Sequence, residues 1–152
     1  MSEPPTAGNG LAAAVERYGR FWIELRPGST HELLALARPD LEFRDPFNVV
    51  VGAERVVALL DHMFAHAGDI RFDVLHHAWA RDTAFYRWDF ACRLRRPATA
   101  LRIAGVSEVR FDPVGLVVSH VDHWDAAAQV YERIPLLGTL LRLARRRLAF
   151  AG

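Results

Sequence analysis

The segment from Leu116 to Asp125 holds the residues of this chain whose types and spacing are best suited to chemistry. If the segment is a β-strand, its side chains alternate between two faces, so His120, Asp122 and Trp124 share one side. An imidazole, a carboxylate and an indole on one side of an otherwise apolar strand are typical of a small-molecule pocket. A purely structural histidine–aspartate pair at a strand end is the alternative interpretation.

Asp122 is the predicted acid/base group of this pocket. Burial beside aromatic side chains would raise the pKa of its carboxyl unless His120 or an arginine compensates, and a raised pKa suits proton transfer near neutral pH. Asp45 faces inward on the predicted strand Leu41–Phe47 and would be the second carboxylate. Two carboxyls in unequal surroundings can divide the acid and base roles. The predicted catalytic set is therefore Asp122, Asp45 and His120.

Aromatic residues are predicted to shape the pocket, and a tyrosine hydroxyl, from Tyr18 or Tyr86, is predicted to donate to a substrate oxygen. Along the segment Thr83–Arg95, Arg87 and Asp89 alternate with more apolar side chains, so only one of these two groups can face the pocket. Burying an arginine and an aspartate costs several kcal/mol unless they are fully paired, so the apolar set is expected inside. The predicted substrate-binding residues are Tyr18, Trp22, Phe43, Tyr86, Trp88 and Trp124.

Two histidines, His62 and His66, are four residues apart on a predicted helix, which is the spacing of a two-histidine metal grip. No acidic third ligand is clearly placed, and exposure near the helix end explains the pair more simply. No metal or cofactor is predicted.

Helices are predicted first along the chain. From Leu11 to about Arg26, apolar residues recur at three- and four-residue steps and form one helical stripe. A short helix over His31–Arg38 and a longer one over Ala53–Ala67 follow. The stripe of the first helix consists of Leu11, Val15, Tyr18, Trp22 and Leu25.

Long β segments separated by turn residues fill the second half of the chain. Consecutive strands joined by short turns pair most simply as an antiparallel meander, and helices followed by a meander predict an α+β fold. The predicted segments are Ile70–Ala80, Thr83–Arg95, Ala100–Phe111 and the strand that begins at Leu116.

The last segment, Leu136–Ala149, carries leucines on one side and arginines on the other and predicts an amphipathic basic helix. Such a short helix usually packs its apolar side on the domain or on a second subunit, so no membrane partner is predicted, although a membrane-surface role is the alternative. The predicted organisation is a disordered tail over residues 1–10, one domain over residues 11–125 and a helical extension over residues 126–152.

Composition favours a globular protein that binds small molecules. The chain has 152 residues, of which 51% are hydrophobic, and a formal net charge of +1, which argues against a nucleic-acid partner. The polar start has no basic stretch followed by an apolar core, so it does not predict a signal peptide. The single cysteine, Cys92, excludes an internal disulfide and fits a reducing cytoplasm, where we expect the protein to be.

Three motifs, in this order and spacing, resemble the nuclear transport factor 2-like superfamily, which includes SnoaL-like polyketide cyclases, ketosteroid isomerase and limonene-epoxide hydrolase. They are Glu42–Phe47 followed by Gly52 and a helix, then Gly105–Asp112, then His120–Asp125. The resemblance covers roughly residues 11–125, and the tail that follows is similar to an uncharacterised SnoaL-like branch. It implies a cone-shaped, curved, mainly antiparallel sheet around the first helix, with an apolar pocket inside and a homodimer formed through the sheet.

The relatives imply different chemistry. Arg44-Asp45-Pro46-Phe47 resembles the setting of the ketosteroid isomerase base, while Phe21 and Ser107 stand where that enzyme has its oxyanion-hole donors. Ser107 is therefore a further candidate for substrate binding. Arg87-Trp88-Asp89 and Asp122 resemble the charged groups of limonene-epoxide hydrolase, which makes Arg87 and Asp89 alternative catalytic residues. SnoaL-like cyclases also place an acid/base aspartate at the strand position of Asp122.

Two functions follow as expectations. The first is cofactor-free acid/base catalysis, namely isomerisation, epoxide hydrolysis or cyclisation, on a small hydrophobic substrate. The second is a ligand carrier or dimeric interaction module without catalysis, since folds of this kind host many functions.

Overall fold

The computed structural model of this chain describes residues 8–96, 98–133 and 136–149. The first helix begins at Gly8, earlier than the predicted start at Leu11, and residues 1–7 of the predicted tail lie outside the described residues. The helices are α1 Gly8–Glu24, α2 Ala53–His66, α3 Ala126–Gln129 and α4 Leu137–Leu148, with 3-10 helices at Thr30–Ala35 and Tyr131–Arg133.

Six strands form one open, mixed sheet of cone-like curvature. They are β1 Ala37–Arg44, β2 Val49–Val51, β3 Ala67–Ala80, β4 Thr83–Arg95, β5 Ala98–Phe111 and β6 Val117–His123. The order across the sheet is β2, β1, β6, β5, β4, β3. Strand β1 runs parallel to β6, and every other neighbouring pair is antiparallel. The predicted α+β fold, with its meander from β3 to β6, is confirmed.

Helix α1 lies across the inner face of the sheet and buries the predicted apolar stripe. Val15 is 0% exposed and Tyr18 1% exposed. Tyr18 contacts β6, and the Val15 carbonyl accepts a hydrogen bond from Tyr86 of β4. Full burial of one large apolar side chain stabilises a fold by roughly 1.5–3 kcal/mol, so this stripe fixes the position of the helix. The core therefore sits between α1 and the sheet.

The predicted helix over His31–Arg38 is wrong at its end. A 3-10 helix stops at Ala35, and β1 begins at Ala37, so Pro39 lies inside a strand. Proline has no N–H to give to a ladder and is tolerated only where pairing is interrupted. The pairing of β1 with β6 shifts register between Ala37 and Glu42, and Pro39 falls in that gap.

Helix α4 contacts the 3-10 helix Tyr131–Arg133 through side-chain bonds of Arg142 and Arg145 with Glu132. Its leucines are largely exposed, so the expectation that its apolar side packs on the domain is not met among the described residues. Within the described part of the chain, none of the helices combines the length and the apolar character that crossing a membrane requires.

Candidate functional site

Tyr18, His120 and Asp122 form a hydrogen-bonded chain beneath α1. Tyr18 Oη lies 2.7 Å from His120 Nδ1, and His120 Nε2 lies 2.8 Å from Asp122 Oδ1. The second contact follows from alternation along β6, because residues two apart point to the same side. The His120 side chain is 3% exposed and that of Asp122 is 16% exposed. The carboxylate is therefore the end of the chain that reaches the surface of the site.

The direction of these hydrogen bonds follows from the carboxylate at the end of the chain. A carboxylate oxygen accepts, so His120 Nε2–H donates to Asp122 Oδ1, and in a neutral imidazole Nδ1 is then the acceptor. Tyr18 donates to this nitrogen. Burial, opposed by the Trp22 indole, holds the pKa of Tyr18 well above its ordinary value of 10.0, so this hydroxyl keeps the proton that it donates. The network assigns one tautomer to the histidine.

A second branch reaches the same oxygen from the neighbouring strands. Trp88 Nε1 donates to Ser107 Oγ at 2.8 Å, and Ser107 Oγ donates to Asp122 Oδ1 at 2.5 Å. Ser107 and Asp122 face each other directly across the β5–β6 pair. The indole of Trp88 lies against Gly105, where a Cβ atom would stand 2.6 Å from the ring. The glycine therefore lets Trp88 lie across β5 and reach Ser107.

The two branches leave one oxygen of Asp122 free. Both donors, from His120 and Ser107, converge on Oδ1. Oδ2 has no hydrogen-bond partner among the described residues and is not buried. A carboxylate held through one oxygen is fixed in position while the other remains able to accept or give a proton.

Three aromatic rings surround His120. The ring of Phe43 lies 5.0 Å from the imidazole between centroids, that of Trp22 lies 5.2 Å away and that of Tyr18 lies 5.7 Å away. Trp22 Nε1 is buried without a hydrogen bond of normal geometry, although it is near enough to the Tyr18 hydroxyl to lower the pKa of that group. This packing restricts rotation of the imidazole and so stabilises the orientation of Asp122.

Asp122 lines two hollows. An inner cavity of about 20 Å³ is also lined by His120 and Ser107. An outer cleft of about 390 Å³ is lined by Asp122 without His120 or Ser107. Both hollows share the side chains of Trp22, Phe72, Trp88 and Asp122. The cleft falls in the volume range of small-molecule sites, whereas the inner cavity has room for about one water molecule.

The walls of the outer cleft are mainly apolar. Polar side chains other than Asp122 stand in the lining at Asp45, Asn48, His62 and His66. A cleft of this kind binds an apolar body and fixes its orientation through few polar contacts. Its apolar lining includes Phe43, Phe47, Leu59, Met63, Phe72, Phe90, Leu101, Ile103 and Trp124.

Asp45 lies in the cleft lining, but its carboxylate is committed to a turn. Strand β1 ends at Arg44, so Asp45 is not on a strand as predicted. Its Oδ1 accepts from the backbone N–H groups of Phe47 and Asn48, at 2.6 and 2.7 Å. The Asn48 side chain donates to both carboxylate oxygens. An aspartate that bonds the backbone two and three residues on is the standard support of such a turn.

The two predicted tyrosine donors are both occupied. Tyr18 donates to His120 and does not line the outer cleft. The hydroxyl of Tyr86 donates to the Val15 carbonyl at 2.8 Å. Burial raises the pKa of Tyr86, so this hydroxyl also stays protonated. Neither one is placed as a free donor to a substrate oxygen.

Arg87 and Asp89 lie on the outer face of β4. Their side chains, 40% and 53% exposed, form a 3.0 Å ion pair, while Tyr86 and Trp88 point inward. The inward direction of the apolar set is as predicted. The alternative arrangement, with Arg87 and Asp89 in the pocket beside Asp122, is wrong, because uncompensated burial of both charges is the costlier orientation.

His62 and His66 stand side by side at the cleft, with ring centroids 4.0 Å apart. His66 Nδ1 contacts the His62 carbonyl at 2.8 Å, which occupies one of its two nitrogens. Among residues 8–96, 98–133 and 136–149, no group of three or more His, Cys, Asp or Glu side chains is arranged to hold a metal ion.

Several residues of the site were not predicted. Phe72 of β3 lines both hollows, and Leu59 and Met63 of α2 form one wall of the cleft. Apolar periodicity along α2 and β3 was a signal for burial, but it did not indicate which buried residues face a hollow. The link from Trp88 through Ser107 to Asp122 had no sequence signal either, because it depends on the register between three strands.

A protein-family model and several solved structures match this chain. The model of the SnoaL-like domain family matches residues 10–120. A candidate SnoaL-like polyketide cyclase from Jannaschia sp. CCS1 superposes with a TM-score of 0.69 at 12% identity, covering 84% of this chain and 94% of the other. An LEH-like epoxide hydrolase from M. tuberculosis gives a TM-score of 0.66 at 14% identity, covering 94% and 96%.

A third solved structure has a ketosteroid isomerase-like fold. It is a hypothetical protein from Catenulispora acidiphila DSM 44928 in complex with trimethylamine, with a TM-score of 0.65 at 13% identity, covering 77% of this chain and 88% of the other. Likeness at these identities shows a common fold and does not transfer an activity. Among curated proteins, none matches the chain.

Proposed function

Because the chain belongs to the SnoaL-like domain family, we propose that it binds a small, mostly apolar molecule and exchanges a proton with it through Asp122. The observation that carries this proposal is the asymmetry of the Asp122 carboxylate. Its Oδ1 receives hydrogen bonds from His120 and Ser107, whereas its Oδ2 has no hydrogen-bond partner among the described residues and is not buried. A carboxylate that only stabilises the fold has no need of a free oxygen beside an apolar cleft.

His120, Tyr18, Ser107 and Trp88 act as positioning residues in this proposal. They hold one carboxylate oxygen through two donors, so the other oxygen keeps a fixed direction relative to the substrate. Proton transfer by a positioned side chain contributes roughly 10²–10⁴-fold to a rate. The aromatic walls exclude water around the reacting atoms and strengthen the electrostatic interactions inside.

The reaction class supported best is transfer of a proton to or from carbon, as in isomerisation or cyclisation of a carbonyl compound. This chemistry needs one base that later returns the proton, and Asp122 can serve both steps. Epoxide hydrolysis with separate acid and base carboxylates is less well supported, because Asp45 is tied into a turn and Asp89 lies on the outer face. The cyclase and isomerase-like names among the structural neighbours agree with this choice.

A general carbon acid tests the proposal without knowledge of the natural substrate. Nitrobenzisoxazole opens when a base removes the proton on C3 of its isoxazole ring. The electron pair of this C–H bond forms a nitrile while the N–O bond breaks, giving a coloured cyano-nitrophenolate. We expect the protein to accelerate this reaction above the rate of free acetate. Asp122→Asn keeps the shape and the acceptor for His120 and Ser107, and should lower the rate by roughly 10²–10⁴-fold.

The control variant is Asp89→Asn, which removes an exposed carboxylate of the outer face of the same sheet. It should leave the rate unchanged. An equal loss in both variants, or a rate in Asp122→Asn equal to that of the unmodified protein, would refute the assignment of Asp122.

A ligand carrier is the second candidate function, and one observation favours it. The hydroxyls of Tyr18 and Tyr86 are occupied by other groups, so the described residues of the cleft provide few donors for a developing oxyanion. If the protein is a carrier, apolar carbonyl compounds should raise the melting temperatures of the unmodified protein and of Asp122→Asn equally. Neither protein should then show turnover. Turnover that depends on Asp122 would exclude this function.

Assembly and location are also proposed. A homodimer formed through the sheet would cover Trp79 and Phe85, whose rings are 43% exposed at the β3–β4 hairpin. Light scattering of the purified protein measures the assembly directly, and a monomer would exclude it. We propose a cytoplasmic location because the single free cysteine fits a reducing compartment, and cell fractionation tests it.

A further inference from the structure

Helix α4 presents an apolar stripe that nothing covers among the described residues. Leu137, Leu140 and Leu148 are 40%, 64% and 88% exposed. At a helical period of 3.6 residues they fall with Leu141 and Ala144 in an arc of about 100°. A stripe of this width normally faces a core. In α4 these leucines are exposed within the described part of the chain, so the stripe faces outward instead.

The rest of α4 is strongly cationic. The helix contains Arg142, Arg145, Arg146 and Arg147 and has no acidic residue. Arg145 and Arg147 lie on the two flanks of the apolar stripe, and Arg145 alone of the four forms ion pairs within the described chain, with Glu132 and Asp125. Arginine side chains at such flanks can lie along an apolar surface while their charged heads reach toward anionic groups.

We infer that α4 lies on an anionic lipid surface, with its leucine stripe in the acyl boundary and its arginines among the headgroups. A large apolar moment with arginines on the polar face is the pattern of a helix that lies in a membrane interface. Charge complementarity decides against self-association through this face, since two copies of α4 paired along the leucine stripe would bring the flanking Arg145 and Arg147 of both copies together. The arginines also favour an anionic surface over a neutral one, because each arginine near an anionic surface adds about 1 kcal/mol to the binding free energy.

The position of α4 connects this surface with the cleft. Glu132, which bonds Arg145, follows Tyr131, and Tyr131 packs against Phe47 at 5.9 Å between ring centroids. Phe47 belongs to the lining of the outer cleft. The lipid-facing helix is therefore anchored beside the cleft that would bind an apolar molecule. Docking of α4 is nonetheless independent of the proposed proton transfer, because it uses no residue of the Asp122 network.

Flotation with lipid vesicles tests the inference. The full chain should float with vesicles of phosphatidylcholine mixed with phosphatidylglycerol and remain in solution with phosphatidylcholine alone. Arg146→Gln with Arg147→Gln should weaken binding by about fivefold for each charge and about 25-fold together. Leu140→Ser with Leu148→Ser should abolish flotation, since it removes the apolar contact.

The matched control is Arg102→Gln with Arg110→Gln, which removes two exposed arginines from β5 and should bind as the unmodified chain does. Binding lost equally in the control would mean general charge attraction and would overturn the assignment to α4. Absence of flotation with either vesicle would also overturn it. Light scattering that shows a dimer converted to monomer by Leu140→Ser with Leu148→Ser would identify the stripe as a protein interface instead.

Discussion

Replacing Tyr18 with phenylalanine removes the one hydroxyl that bonds His120 Nδ1 at 2.7 Å. The nitrogen is then buried without a donor, which costs roughly 1–3 kcal/mol of unfolding free energy. The ring remains, so no cavity larger than the oxygen is created. For a domain of this length, a loss of about 2 kcal/mol lowers the melting temperature by about 4–8 °C.

The same substitution should reduce turnover. Without Tyr18 as donor, His120 Nδ1 is free to carry the proton, and in that tautomer the bare Nε2 would face Asp122 Oδ1 and repel it. Loss of one positioning hydrogen bond of about 1.4 kcal/mol corresponds to about a tenfold lower kcat. KM should stay the same, because Tyr18 does not line the outer cleft.

Tyr86→Phe is the matched control for this prediction. It removes a second buried hydroxyl, which donates to the Val15 carbonyl. That carbonyl lies inside α1, so it keeps its helical hydrogen bond when the hydroxyl is removed. We expect a smaller loss of stability, of about 1 kcal/mol, and an unchanged kcat. Thermal unfolding and nitrobenzisoxazole turnover measure both quantities. A Tyr18→Phe variant that is destabilised but as active as Tyr86→Phe would refute the role of Tyr18 in orienting His120.

Three further predictions concern the surroundings of the site. Gly105→Ala places a Cβ atom 2.6 Å from the Trp88 ring, so it should cost roughly 1–3 kcal/mol in urea unfolding and lower turnover through the Ser107 branch. Asp45→Ala should cost about 1–2 kcal/mol by loosening its turn, yet reduce kcat far less than Asp122→Asn does. Unfolding free energy should fall as the pH rises above about 10.0, because the raised pKa of Tyr18 keeps that group protonated only in the folded state, and the fall should be smaller in Tyr18→Phe.

Each of these predictions has a result that contradicts it. Gly68→Ala meets no atom closer than 3.9 Å, so a stability loss as large as that of Gly105→Ala would show that packing against Trp88 is not the cause. An Asp45→Ala variant as inactive as Asp122→Asn would restore Asp45 as a catalytic residue. If the unfolding free energy fell equally with rising pH in the unmodified protein and in Tyr18→Phe, Tyr18 would not be the cause of the fall.

The fold could be predicted largely because its periodicities are strong. The stripe of α1 and the alternation of β4 each have one low-energy way to bury their apolar side, so the inward direction of Tyr86 and Trp88 followed from burial cost alone. The predicted helix over His31–Arg38 was drawn up to the residue before Pro39, because a proline ends a helix in most settings. The place of Pro39 in β1 depends on a gap in pairing with β6, which is a tertiary feature.

The candidate site was predictable only in part, for a related reason. Alternation brought His120 and Asp122 together, since both stand on one strand. The position of Asp45 could be predicted only by knowing where β1 ends. The strand ends at Arg44, so Asp45 lies in the turn that follows it. Ser107 reaches Asp122 only because three strands have one particular register, and a single sequence contains no direct signal for register.

The proposed function requires that Asp122 Oδ2, which has no partner among the described residues, exchanges a proton with a molecule in the outer cleft. The most direct measurement compares nitrobenzisoxazole turnover by the unmodified protein and by Asp122→Asn at equal occupancy of the cleft. We expect turnover above free acetate in the unmodified protein and a rate roughly 10²–10⁴-fold lower in Asp122→Asn. Equal rates in the two proteins, or no acceleration by either, would contradict it.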